Sequence, residues 1–192
     1  EPETDITPRV SQKNFLLHAA LLNINVALEN PQDPESQWKF IGKPLEIALA
    51  KAAAGSGIHF PSVKEDKEAI HILPFNSLNK FAASLYKVPT SWFKERFKRE
   101  EPHVLSLLGA PEILLRGSSF LDFDGKKEKL TSVWRESILK KYGVMAQDGL
   151  RVIAAAYKDI TEDVFDPARV TEHLVFAGLL GLKDPVRDDV AY

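Results

Sequence analysis

The hydrophobic pattern of the chain opens with a helical period. Leu17, Leu21, Ile24 and Leu28 recur at spacings of four, three and four, which predicts a helix over 11–29 with Ser11 as its N-cap. Asn30-Pro31-Gln32-Asp33-Pro34 ends the pattern in a polar loop. A second helix is expected from Pro44, because the fixed φ and missing N–H of proline suit a first helical position. It closes near Gly55-Ser56-Gly57, with Leu45, Ala48, Leu49 and Ala52 as its inward stripe.

From Ala69 the period shortens towards two. Ala69 to Leu73 and Leu78 to Tyr86 read as strands joined by Pro74-Phe75-Asn76-Ser77. In the second strand Phe81, Ala83 and Leu85 face one side, and Lys80, Ala82 and Ser84 the other. Val88 to Arg99 reads as a charged helical excursion, followed by a strand from His103 to Leu107 and a short helix from Pro111 to Leu115. An amphipathic helix is expected from Glu128 to Tyr142, with Leu130, Val133, Trp134 and Ile138 inward and a stop at Gly143. Leu150 to Tyr157 and the apolar run Leu174 to Leu182 are the last strands, the second patterned for burial on both faces. Hairpin-like strands with helices between them predict an α+β fold, a twisted and mostly antiparallel sheet flanked by helices.

Composition narrows the function classes. The 192 residues make one ordinary domain with enough apolar content, 44%, to bury a sizeable core. Twenty-five basic residues against 27 acidic leave a net charge of −2, so no global field exists to hold nucleic acid or an anionic membrane. The mixed segment Trp92-Phe93-Lys94-Glu95-Arg96-Phe97-Lys98-Arg99 has its charge diluted by Glu95, Glu100 and Glu101, and reads as a solvated helix. The absence of cysteine excludes a disulfide scaffold, a thiolate metal site and a cysteine nucleophile. The five histidines never fall at the i, i+4 spacing of a helical metal pair. The longest apolar run has nine residues, half of the ~18 needed to span a bilayer. The opening Glu1-Pro2-Glu3-Thr4-Asp5 does not read as a signal peptide, and none is expected. A soluble globular protein of a reducing compartment is expected.

Self-sufficient motifs are scarce. Gly55-Ser56-Gly57 has no Gly-Lys-Ser/Thr after it and reads as a helix stop, not a phosphate loop. No Gly-x-Ser-x-Gly elbow is present. Asp122 and Asp124 are a close carboxylate pair, and with Phe123 and Gly125 they read as a turn. The informative signal is the order of five separated stretches: Gly42-Lys43-Pro44-Leu45-Glu46, Pro74-Phe75-Asn76-Ser77-Leu78-Asn79-Lys80, Gly109-Ala110-Pro111-Glu112, Gly149-Leu150-Arg151-Val152 and Asp184-Pro185-Val186-Arg187. Together they resemble the nucleotide-binding domain of P-type ATPases, ion pumps that pass through a phosphorylated aspartate. In that family the first usually reads Gly-Asp-Pro-Thr-Glu, the third Lys-Gly-Ala-Pro-Glu and the last Asp-Pro-Pro-Arg. The second stretch is most similar to the sodium/potassium and related bacterial cation pumps.

The resemblance implies a fragment with a nucleotide-binding domain over 1–183 and, over 184–192, the start of a hinge carrying Asp184 and Arg187. The family's phosphorylated Asp-Lys-Thr-Gly-Thr stretch and its Gly-Asp-Gly-x-Asn-Asp magnesium loop are not in this sequence. The implied ligand is therefore ATP, with Mg2+ needed only in the intact parent. The implied partners are the phosphorylation and actuator domains, at the cytoplasmic face of a membrane, with no nucleic acid and no membrane contact by this chain. An ATP-binding module, not an enzyme in its own right, is expected.

The resemblance also implies roles for individual residues. Glu46, three positions into its helix, suits the macrodipole in any protein; by the resemblance it accepts a hydrogen bond from the adenine amino group. Phe75 stacks on adenine, as a flat π-face allows. Ser77 lies in the same binding stretch, and Lys80, five residues after Phe75, lies close to the nucleotide. Arg151, between Leu150 and Val152 on a strand, needs an anion, and by the resemblance reaches the phosphates. Gly109 belongs to the adenine pocket with Leu108. Two departures stand out: Leu108 replaces the family's Lys, removing a charge and a donor, and Leu45 replaces a Thr beside Glu46. They leave room for a degenerate interaction domain that has lost ATP binding. A small stand-alone phosphohydrolase is the other class, and it lacks a recognisable nucleophile.

Overall fold

A seven-stranded sheet with helices on both faces organises the computed structural model, which describes residues 10–60, 69–87, 103–160 and 165–183. Helix α1 spans Val10–Leu21, and a small ladder pairs β1 (Ala27–Leu28) with β2 (Phe40–Ile41) around a 3-10 turn at Glu35–Gln37. Helix α2 spans Pro44–Ala54, followed by strands β3 (Ala69–Leu73), β4 (Phe81–Lys87) and β5 (His103–Gly109). Then come α3 (Pro111–Gly117), β6 (Ser118–Phe123), β7 (Lys126–Lys129), α4 (Ser132–Gln147), β8 (Leu150–Ile160) and β9 (Leu174–Lys183). The strand order is β3-β4-β5-β8-β9-β6-β7. Every pairing is antiparallel except β6 with β9, as an α+β sheet requires.

Strand alternation divides the interior in two. Leu108, Ala155, Tyr157, Val175 and Ala177 face α1 and α2, whereas Phe81, Ala83, Leu85, Leu105 and Leu107 pack with Leu114, Leu115 and Ile138 of α3 and α4. Strand β5 is buried at every position, so the edge of the candidate site is built on the most enclosed strand.

The first helix is shorter than the period predicted. It already includes Val10, so Ser11 lies inside it instead of capping it, and it ends at Leu21. Beyond a turn at Leu22 and Asn23, Ile24 and Val26 are buried while Asn25 and Ala27 are exposed, the alternation of extended chain. The end of the helix is held by local and distant donors: the Leu22 and Asn23 N–H groups donate to the His18 and Ala20 carbonyls, and the Asn23 side-chain amide donates to that of Ala19. The Ser106 hydroxyl donates to the Ala19 carbonyl at 2.9 Å, and the Tyr86 hydroxyl donates to that of Leu22 at 2.7 Å.

Other boundaries shift for local reasons. Strand β4 begins at Phe81, and Leu78 is 90% exposed in the preceding turn. Helix α2 buries Leu49, Ala50 and Ala53, so its inward face is rotated from the predicted stripe and Ala52 is exposed. Glu128 belongs to β7, and α4 starts only after Thr131, whose hydroxyl accepts the Trp134 N–H at 3.3 Å. That helix runs through Gly143 to Gln147, and Val133 is 72% exposed, not inward. The hairpin of β6 and β7 was not expected. Asp124 and Gly125, at φ 53° and 82°, form its two-residue turn. Asp122 accepts the Gly125 N–H at 3.0 Å and the buried Tyr157 hydroxyl at 3.0 Å. Only Leu174–Ala177 of β9 is buried on both faces; its second half is partly open. The excursion over 88–99, Asp184 and Arg187 lie outside the described residues. No helix among the described residues is long and apolar enough to cross a membrane.

Candidate functional site

The β3–β4 connection is a closed turn that presents one ring. Asn76 organises it: its side-chain oxygen accepts the Asn79 N–H at 2.7 Å, and its carbonyl accepts the Lys80 N–H at 2.9 Å. Phe75, immediately before the turn, is 56% exposed, so an aromatic face is available to a planar ligand. Ser77 is exposed at the turn's tip. Lys80 closes the turn with φ 59°, a left-handed conformation costly for a residue with a Cβ.

The turn docks on the end of β5. The Ala110 N–H donates to the Lys80 carbonyl at 2.9 Å, carrying the β4–β5 ladder one residue past Phe81 and Gly109. Gly109 permits this approach, since a Cβ there would lie 2.5 Å from the Lys80 oxygen and 2.5 Å from the Phe81 Cβ. The Lys80 ammonium lies 3.9 Å from the Glu112 carboxylate in the first turn of α3. Glu112 and Asn76 are the residues that single-site reasoning missed; both lie in the quoted motifs, but their roles depend on which loop meets which strand end.

Leu108 precedes Gly109 on β5, with Ala82 and Ala155 as its cross-strand neighbours. It is 6% exposed and packed among the residues that face α1 and α2. By alternation along β8, Arg151 lies on the same face as Ile153 and Ala155, paired with Leu182, and it is exposed. Because β5 and β8 are antiparallel, the end of one and the start of the other share one end of the sheet. Ala154 pairs with Gly109, so Arg151 stands about 10 Å further along β8. Helix α1 packs on this face and α2 packs against α1, and Glu46 is half-buried in the first turn of α2, after Lys43 at the N-cap and Pro44 at N1. Topology thus gathers the Phe75–Lys80 turn, Leu108, Gly109 and Arg151 at one end of the sheet. Glu46 belongs to the helix layer on the Leu108 and Arg151 face. Lys183, the last described residue, ends β9 at the same end, beside Leu150. Among the described residues no group of three or more His, Asp or Glu side chains is arranged to hold a metal ion.

Comparison with known proteins agrees with this architecture. A family model described as P-type ATPase, cytoplasmic domain N, matches residues 11–189. Calcium-transporting ATPase 1 of Bacillus cereus is 29% identical over 186 residues, covering 97% of this chain and 19% of that protein. Calcium-transporting ATPase 1 of Saccharomyces cerevisiae is 29% identical over 192 residues, 94% of this chain and 18% of its own length. The sodium/potassium-transporting ATPase subunit alpha-1 of Catostomus commersonii is 30% identical over 138 residues, 66% of this chain and 13% of its own. The chain therefore spans less than a fifth of the length of these relatives. With the model match running through all but the two ends, and the motif order reproduced on a mixed sheet flanked by helices, the chain belongs to the family of P-type ATPase cytoplasmic N domains.

Proposed function

We propose that this chain is the ATP-binding module of a cation-transporting P-type ATPase, holding ATP for transfer of its γ-phosphate to an aspartate on a domain outside the chain. The observation that carries this reading is the exposed Phe75 ring, held by a closed turn against the end of β5. The purine stacks on Phe75, Leu108 adds apolar contact, and Glu46 accepts from the adenine amino group. Lys80 lies beside the nucleotide, and Arg151 reaches the phosphates. Mg2+ acts in the intact parent, through residues beyond this chain, and the hinge residues Asp184 and Arg187 lead towards the phosphorylation domain. The actuator domain is a further partner in the parent.

Such a site is weak by design of its contacts. Stacking contributes about 1–3 kcal/mol, so a dissociation constant on the order of a millimolar, about −4 kcal/mol, is expected. In the parent, phosphate contacts on the neighbouring domain raise the effective concentration. The test is an ATP titration followed by NMR shifts, with inorganic phosphate release measured in parallel. Saturable shifts around Phe75 without turnover support the reading. Phe75→Ala should abolish the shifts while leaving the circular dichroism unchanged, because the ring is over half exposed. Normal ATP binding by that variant would place the base elsewhere, and magnesium-dependent turnover surviving repurification would favour an enzyme. The burial of Leu108 favours a second reading, an interaction domain without ATP binding, which an absence of saturable shifts would support.

A further inference from the structure

Lys80 is held at both of its peptide groups. Its N–H donates to the Asn76 carbonyl and its carbonyl accepts from Ala110, each at 2.9 Å. Its backbone is kept left-handed at φ 59°, a conformation that persists in a non-glycine residue only when the surroundings over-determine it. Gly109 leaves the space in which that backbone rests. What remains free is the four-carbon side chain, and its ammonium faces one carboxylate, Glu112, at 3.9 Å on the first turn of α3. The two side chains are 57% and 48% exposed, so the pair contributes little to folding stability. Its geometric effect is larger in proportion, because lysine loses considerable rotamer freedom when it is ordered at a ligand.

Building on the nucleotide-site reading above, we propose that Glu112 is a positioning residue that holds the Lys80 ammonium at the mouth of the site. Gly109 and the Ala110 N–H set the Lys80 backbone, and Glu112 sets its tip. The Gly109-Ala110-Pro111-Glu112 stretch thereby acts on the nucleotide through Lys80. This is a separate role from that of Leu108, which faces the interior and carries no charge.

The experiment is a double-mutant cycle read by ATP dissociation constants on the whole chain: wild type, Glu112→Gln, Lys80→Met and the double variant. Glu112→Gln should weaken ATP binding about threefold, the size of an exposed ion-pair effect. In the Lys80→Met background the same substitution should change binding by less than the error of the titration. A structural role for Glu112 would not distinguish the two backgrounds, so an equal loss in both overturns the inference. Tighter ATP binding by Glu112→Gln also overturns it, since the carboxylate would then act only by repelling the phosphates. If the wild type shows no saturable ATP binding, the nucleotide-site reading fails and the inference falls with it. Additive losses on a wild type that does bind ATP defeat the inference alone.

Discussion

Leu108→Lys sets two physical effects against each other at one position. Leu108 is 6% exposed, between Ala82 and Ala155, and packed with residues facing α1 and α2. Replacing it forfeits part of the ~1.5–3 kcal/mol that burial of a leucine contributes, although the lysine stem recovers some apolar contact. The ammonium must also leave water, and unless its tip reaches solvent this is the larger cost. Leu108 is the next-to-last residue of β5, so a lysine can extend towards the strand's end near Gly109 and the Phe75 turn. We expect a net loss of about 2 kcal/mol, within the usual range for core substitutions. For a chain of this size that lowers the melting temperature by roughly 4–8 °C. A lysine tip emerging beside the purine regains one charge-assisted hydrogen bond, about 1 kcal/mol or fivefold in ATP affinity. Melting and ATP titration are measured on the same sample, with Leu108→Ala as a control that loses stability through a cavity but gains no donor. A fall in melting temperature with tighter ATP binding supports a wall shared by core and ligand. A fall with unchanged affinity would refute the reasoning, because the position would then be filled wholly by the protein's own side chains.

Two further substitutions probe the site's supports. Gly109→Ala forces a Cβ to within 2.5 Å of the Lys80 carbonyl oxygen, so the β4 end must shift; we expect a loss of about 1–3 kcal/mol in a denaturant melt, with weaker ATP binding, and wild-type stability would show that the turn does not rest on β5. Lys43→Asp replaces a cation that makes no capping hydrogen bond at the N-cap of α2; a carboxylate there should raise stability by about 1 kcal/mol, and no gain in urea midpoint would mean that the Lys43 side chain already has a compensating contact.

Much of this was legible locally. Pro44 at N1 set the start of α2, the short extended segment Ala69–Leu73 located β3, and the order of short motifs pointed to the family. These features depend on residues within a few positions of one another. The end of α1 depends on them only in part: beside the local donors of Leu22 and Asn23, the Tyr86 and Ser106 hydroxyls reach the Leu22 and Ala19 carbonyls from 64 and 87 residues away. By period alone Leu17, Leu21, Ile24 and Leu28 continue the helix, and only the structure shows a turn at Leu22 and Asn23 with extended chain from Ile24. The two-residue strands β1 and β2 and the all-exposed β7 carry too little pattern to be read by period at all. The site divides in the same way. Phe75, Lys80, Gly109 and Arg151 were identifiable as residues, but sequence alone does not bring one end of four strands together. The burial of Leu108 follows from small neighbours on two other strands, and the meeting of Lys80 with Glu112 follows from Gly109 letting one backbone rest against another. Those are facts of packing between segments distant in the chain, and only the tertiary structure decides them.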